Sequence, residues 1–347
     1  MTVDFSKPIR LDRASAWRTY SGGSLIEKLY GRDGMPDTNF PEDWIMSTVR
    51  ARNAGREDIV EGLSTVFGSD TSLAELIEKH PLQMLGERHV ERFGKSLGVL
   101  VKIIDSAERL TVQVHPTRDQ AKTLFGSEYG KTECWHILGG REIDGEPPCI
   151  YFGFKEGVTR ETWKRVFDTQ DIAAMLDCLH KFEVKAGETF LIKGGVPHAI
   201  GAGCFLVEVQ EPTDYTIRTE RITPRGVPVA DFMCHQGLGF DKMFDCFDYH
   251  GASAEQILEK YRIQPRGEDI LGYLDTEMFA LKKIDIDGSA VIESGGSFSG
   301  IYVLEGEGRL GDDLLSPGSQ YFIPYAAEPF TISGRLTLIR FYGPSTV

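Results

Sequence analysis

The sequence predicts a mainly β protein, built as sandwich- or barrel-like units of short strands with helices between them. Three observations predict it. The runs LGVLVKIID (97–105), RLTVQVH (109–115), ECWHIL (133–138), PCIYFGF (148–154), TFLIK (189–193), CFLVEVQ (204–210) and DYTIR (214–218) are short, β-branched or aromatic, and broken by Gly, Pro or Asp. Helical periods are few and brief. After residue 262 the alternation resumes in LKKIDI, AVIES, GIYVLEGEGRL, QYFIP and LTLIRFYG. At 347 residues the chain is long for one core, which predicts two domains, 1–245 and 246–347.

The elements follow in order. Residues 71–86, TSLAELIEKHPLQMLG, read as one helix capped at Thr71 or Ser72, with Leu73, Leu76, Ile77 and Leu82 as its apolar stripe. GGREIDGEPP (139–148) and KGGVP (193–197) read as turns. Residues 159–181 read as two short helices, one buried through Trp163, Val166 and Phe167, the other through Ile172, Met175, Leu176 and Leu179. They are either an insertion at the mouth of a barrel or packing helices that touch no ligand. A further helix is expected over 251–262.

Composition narrows the function. Apolar content of 41% and charged content of 26% are ordinary for a soluble globular chain. A net charge of −14 without a Lys/Arg cluster argues against a nucleic-acid partner. No apolar run reaches ~18 residues, so no membrane helix is expected. The N-terminal MTVDFSKPIRLDRASAW lacks the apolar core of a signal peptide. Six cysteines form no CxxC pair, which predicts reduced, mostly buried thiols in the cytoplasm.

The run Leu110-Thr111-Val112-Gln113-Val114-His115-Pro116 carries the chemistry. Strand alternation puts Leu110, Val112 and Val114 on one face and Thr111, Gln113 and His115 on the other. Gln113 and His115 then offer an amide oxygen and an imidazole side by side. Glu133 and His198 follow later in the chain. Two imidazoles, a carboxylate and an amide oxygen form a mixed N/O set suited to one Zn²⁺ per chain with a coordination position left open.

These residues sit in segments that resemble the type I phosphomannose isomerases. VKIIDSAERLTVQVHP (101–116), GKTECWHIL (130–138), FGFKEGVT (152–159), VKAGETFLIKGGVPHAIG (184–201) and LVEVQEPTDYTIR (206–218) occur in that family's order and at about its spacing. The resemblance implies a zinc-dependent cupin (double-stranded β-helix, or jelly-roll) catalytic domain with the zinc ligands Gln113, His115, Glu133 and His198. It implies a second, degenerate C-terminal cupin, consistent with the absence of any His after His250. It implies interconversion of mannose 6-phosphate and fructose 6-phosphate through a cis-enediolate.

Such isomerisation needs a proton carrier between C2 and C1 and a cation for the phosphate. The resemblance places Arg218, Glu208, Lys131, Lys102, Thr111 and Asp214 in the active site, with Arg225 carried over at an offset of about one residue. Lys131 and Glu208 are both candidates for the base. Arg218 holds the phosphate, stabilises the enediolate, or merely braces a buried Glu208. Lys102 sits in an apolar run, where its amine needs a partner. Two departures stand out. Gly130 replaces a His that many relatives carry before the Lys, and Val49-Arg50 stand in the Trp-centred motif DWIMSTVRARNAG (43–55) where His-Pro is common. Alternatives are an isomerase of another aldose, an iron-dependent cupin oxygenase, and a non-catalytic sugar-phosphate-binding protein.

Overall fold

Alternating sequence becomes antiparallel strand pairing throughout the described residues, 3–53 and 55–346 of this computed structural model. Ala54, within the Trp-centred motif, lies outside them. The first sheet runs in the order Arg262–Ile263, Thr189–Ile192, Glu133–Gly140, Cys204–Gln210, Leu100–Asp105, Glu42–Ile45, Ser15–Ala16. The second runs Ile217–Arg218, Gln113–Val114, His198–Ile200, Cys149–Phe154, Leu179–Glu183. These two sheets face each other, as a cupin barrel requires. Ile104, Trp135, Phe190, Ile192 and Leu206 of the first pack against Ile150, Phe152 and Ile200 of the second.

The third sheet is built from Ile9–Leu11, Gln320–Ile323, Ser299–Leu310, Phe330–Tyr342, Ala280–Ile292 and Asp269–Leu271. It covers the back of the first sheet. Strand alternation turns Val101, Ile103, Cys134, Leu191, Val207 and Val209 away from the barrel interior, where they join Leu281, Tyr302, Phe322, Ile339 and Phe341. Each such side chain contributes roughly 1.5–3 kcal/mol by leaving water.

Two strand pairings cross the expected 245/246 boundary. Ile9–Leu11 supplies an edge to the third sheet, and Arg262–Ile263 supplies one to the first. Each covers backbone groups that an open edge would leave unpaired.

Three local expectations change. The helix expected over 71–86 is two helices, Leu73–Lys79 and Pro81–Leu85, because Pro81 lacks the N–H that continuation needs. Ser72 caps the first, in a capping box with Glu75. Leu82 then leaves the buried stripe and is 54% exposed. The helices Arg160–Thr169 and Ile172–Asp177 pack on the outer face of the second sheet, the second of the two arrangements the sequence left open. Trp163, Val166, Phe167 and Met175 pack there on Val112, Val114, Ala199 and Ile217. Leu179 opens a strand instead of closing the second helix. Finally, only Gln113–Val114 of the 109–115 run is regular strand, and Leu110 lines the pocket described below instead of joining Val112 and Val114. The six cysteines are unpaired, five of them buried.

Candidate active site

Strand register assembles the site in rows. In the second sheet Arg218, Gln113, His198 and Phe152 are successive cross-strand neighbours. In the first sheet one row is Trp44, Lys102, Glu208, Trp135 and Phe190. The next row on the same face is Leu100, Gln210, Glu133 and Ile192. Glu133 therefore meets His198 and His115 across the barrel.

The distances are those of converging donors. His198 Nε2 lies 3.3 Å from Glu133 Oε1, and His115 Nε2 lies 3.3 Å from Glu133 Oε2. The two Nε2 atoms are 3.2 Å apart. Gln113 Nε2 is 3.4 Å from His198 Nε2, and a half-turn of the amide presents its oxygen instead. All three of His115, Glu133 and His198 are buried, and they are the one His/Cys/Asp/Glu cluster with metal-ligand spacing among the described residues.

The protonation states follow from the surroundings. His115 Nδ1 donates to the Tyr215 carbonyl at 2.9 Å, and His198 Nδ1 donates to the Val196 carbonyl at 2.8 Å. Both Nε2 atoms then carry bare lone pairs. Burial first, then the Lys131 charge, push His115 down to about 3, and burial lowers His198 too. Burial would raise Glu133, but Lys131 and the imidazoles outweigh it and hold it well below the carboxylate range. Both Glu133 oxygens are buried without a hydrogen-bond partner. Two lone pairs and an orphaned carboxylate facing one another are costly unless a cation lies among them. These residues fit a bound divalent metal.

Lys131 touches this cluster, its Nζ 3.0 Å from His115 Nε2 and 3.2 Å from Glu133 Oε2. It is buried, as is Lys102, so neither side chain reaches out to bulk water. Lys102 Nζ donates to Glu208 Oε1 at 2.7 Å, and Trp135 Nε1 donates to Glu208 Oε2 at 3.2 Å. Burial, then repulsion from Glu133, raises Glu208, with Lys102 pulling the other way. Burial opposes the Lys102 charge, but Glu208 and Glu42 more than restore it.

Gln113 and Lys131 open the cluster onto one pocket that Lys102, Thr111, Glu208, Asp214 and Arg218 also line. Arg218 does not brace Glu208. Its Nη1 donates to the carbonyls of Thr216 at 3.3 Å and Met233 at 3.0 Å. Burial lowers its pKa, with Asp214 opposing. Arg225 does not line the pocket. It stands half-exposed, 3.6 Å from Glu108, which does.

Sequence reasoning missed much of the rest of the pocket lining: Arg18, Tyr20, Glu42, Arg52, Asn53, Glu108 and Arg109. Glu42 accepts from Tyr20 Oη at 2.7 Å, Trp44 Nε1 at 2.7 Å and Arg18 Nε at 2.9 Å. The signal available was a carboxylate beside Trp44 in a strand, within the Trp-centred motif. At Gly130 a Cβ would lie 2.6 Å from the Pro116 carbonyl oxygen, so the relatives' His has no room in this backbone.

Comparison with known proteins agrees with this geometry. Residues 60–131 match the family model "Phosphomannose isomerase type I, catalytic domain", and residues 269–343 match "Mannose-6-phosphate isomerase, cupin domain". The chain is 27% identical over 339 residues to the mannose-6-phosphate isomerase ManA of Bacillus subtilis, covering 95% of each chain. It is 27% identical over 326 residues to the mannose-6-phosphate isomerase of Streptococcus mutans, covering 92% of this chain and 93% of that one. Its fold matches the crystal structure of the Bacillus subtilis mannose 6-phosphate isomerase with a TM-score of 0.70 at 23% identity, over 97% of this chain and 99% of that one. It matches a mannose 6-phosphate isomerase bound with zinc and yttrium with a TM-score of 0.73 at 18% identity, over 98% and 100%. With two cupin units, one cluster of metal-ligand spacing among the described residues and these matches along its length, the chain is similar throughout to the type I phosphomannose isomerases.

Proposed function

We propose that the chain is a zinc-dependent aldose–ketose isomerase that interconverts mannose 6-phosphate and fructose 6-phosphate. The observation that carries this reading is the cluster of His115, Glu133 and His198, with unprotonated imidazole nitrogens converging on a carboxylate that accepts no hydrogen bond, opening through Gln113 and Lys131 onto a pocket lined by cations. The N/O donor set favours zinc, the metal named for one solved relative. When bound, the metal polarises the sugar oxygens at C1 and C2.

The chain's own side chains do the rest. Glu208 moves a proton between C2 and C1, since its raised pKa lets it both take and return one. Lys131, at the edge of the metal cluster, is the other group placed to do so. Lys102 and Trp135 hold Glu208 by one oxygen each, which fixes the carboxyl against the substrate carbons. Arg218 faces the negative charge of the cis-enediolate or of the phosphate, while Thr111 and Asp214 meet sugar hydroxyls.

A coupled assay with mannose 6-phosphate tests the reading. Conversion to fructose 6-phosphate, abolished by chelation and restored by zinc, is expected. No conversion by the zinc-loaded chain would overturn it.

A further inference from the structure

The pocket's cations are unequal. Arg18 is engaged by Glu42 at 2.9 Å, and Lys102 by Glu208 at 2.7 Å. Arg109 is gripped through both terminal nitrogens by Glu220 behind the wall. Lys131 is committed to the metal cluster. Two pocket arginines have no carboxylate within ion-pair distance among the described residues, Arg218 and Arg52. In a chain with 52 acidic and 38 basic residues, that leaves two guanidinium groups free for an incoming dianion.

Arg52 also differs from its neighbours in the loop that follows the Glu42–Ile45 strand. Arg50 Nη2 donates to the carbonyls of Glu57 and Ile59, which braces the loop. Arg56 pairs with Glu61 at 2.6 Å and lies over the Trp17 ring. Arg52 makes no such contact among the described residues, and its side chain is exposed. The backbone beneath it is nevertheless pinned on both sides. Ala51 N–H donates to the Glu61 carbonyl at 2.9 Å, and Asn53 Nδ2 donates to the Trp17 carbonyl at 2.9 Å. Asn53 Oδ1 in turn accepts from Arg18 Nη1 at 3.3 Å. A guanidinium on a fixed backbone position, lining a pocket and engaged by no hydrogen bond or ion pair among the described residues, is arranged for an anion of the ligand.

We propose that Arg52 is the phosphate-selecting residue of this pocket. It binds the phosphomonoester end of the substrate while the carbonyl end lies at Gln113 and Glu208. This rests on the isomerase reading, and it adds a residue from the N-terminal loop that sets selectivity for phosphorylated over neutral sugars. Arg52 touches the end of the substrate that does not react, so it contributes uniform binding and acts on KM.

The test uses the metal-loaded full chain as wild type, Arg52→Ala and Arg52→Lys. KM and kcat are measured for mannose 6-phosphate, together with competitive inhibition by inorganic phosphate and by unphosphorylated mannose. Arg52→Ala should raise KM roughly 10-fold or more, the loss expected for one charge-assisted contact, with kcat little changed. Phosphate inhibition should weaken in parallel, and mannose inhibition should hold. Arg52→Lys should recover part of the loss, with Tm unchanged in both variants. Unchanged KM and phosphate inhibition in Arg52→Ala overturn the proposal. So does equal loss in both variants with a lowered Tm, which would make Arg52 a brace of the loop. A wild-type chain that does not convert mannose 6-phosphate defeats the isomerase reading instead. Calorimetric binding of mannose 6-phosphate to the wild type and Arg52→Ala then still decides the role of Arg52.

Discussion

Glu133 and Arg218 show how differently two charges, one buried and one part-buried, are treated in one site. Glu133 has imidazole lone pairs and a lysine around it and no hydrogen-bond donor satisfying its oxygens, which is the environment of a metal ligand. Arg218 is part-buried, its guanidinium held by two carbonyls with no carboxylate at ion-pair distance among the described residues, which leaves its charge unpaired at the pocket. Arg218→Ala should therefore keep metal content and fold while activity falls by ~10² or more, if the guanidinium meets developing charge. A drop in kcat assigns it to the enediolate, and a rise in KM alone assigns it to uniform binding. Wild-type kcat and KM in the variant would reduce it to a structural cation. The convergence of Gln113 and His115 on one face was legible in the sequence because strand alternation sets them side by side, and a polar pair on a strand needs a reason. Arg18 and Glu42 were not, because a charged residue carries no sequence mark of burial. Only the fold reveals that Trp44, Tyr20 and Arg18 enclose that carboxylate.

At the level of elements, the first sheet turns charged residues from successive rows, Glu42, Lys102, Glu208 and Glu133, onto one face among apolar neighbours. The Glu42–Ile45 strand lies beside the Leu100–Asp105 strand, so Glu42 and Lys102 reach the same buried wall. Burial would raise Glu42, but Arg18 and Lys102, with hydrogen bonds from Arg18 and Trp44, bring it to about 2. The sign follows from linkage. A carboxylate with its folded pKa below its unfolded value stabilises the fold above the unfolded pKa, near 4.5, and loses that stabilisation as pH falls toward 2. The amount is on the order of 3 kcal/mol. Urea unfolding at pH 5 and pH 3 should show a steeper loss in the wild type than in Glu42→Gln. Equal slopes would contradict this account of the wall. Helix existence was readable in the sequence, as at 159–181, but helix placement was not. The apolar stripe of Trp163, Val166 and Phe167 says that a face is buried, and only the sheet it meets says where. The break at Pro81 was readable from proline chemistry, yet the apolar spacing of Leu73, Leu76 and Ile77 masked it.

Across the whole molecule, the third sheet holds the catalytic sheet from behind without sharing its chemistry. No His occurs in it, and its apolar face meets Val101, Ile103, Val207 and Val209. Phe341 is fully buried in that shared core, so Phe341→Ala should cost ~3–5 kcal/mol. Calorimetry should show the lowered stability while folded protein still binds one metal. Loss of the metal site without loss of stability would contradict a purely supporting role. Two cupin-like halves were legible from alternation and glycine breaks, whereas the exchange of edge strands at Ile9–Leu11 and Arg262–Ile263 was not, because three- and two-residue strands carry no period. The central claim is that one metal, held by Gln113, His115, Glu133 and His198, makes the pocket an isomerase. Its most direct test is zinc content and mannose 6-phosphate turnover measured on the same sample, through chelation and stepwise return of zinc, in the wild type, His115→Ala and His198→Ala. The account predicts that wild-type turnover vanishes with the metal and returns in proportion to bound zinc up to one per chain, and that both variants stay empty and inactive. Full turnover in the metal-free wild type, or full zinc occupancy in both variants, would contradict it.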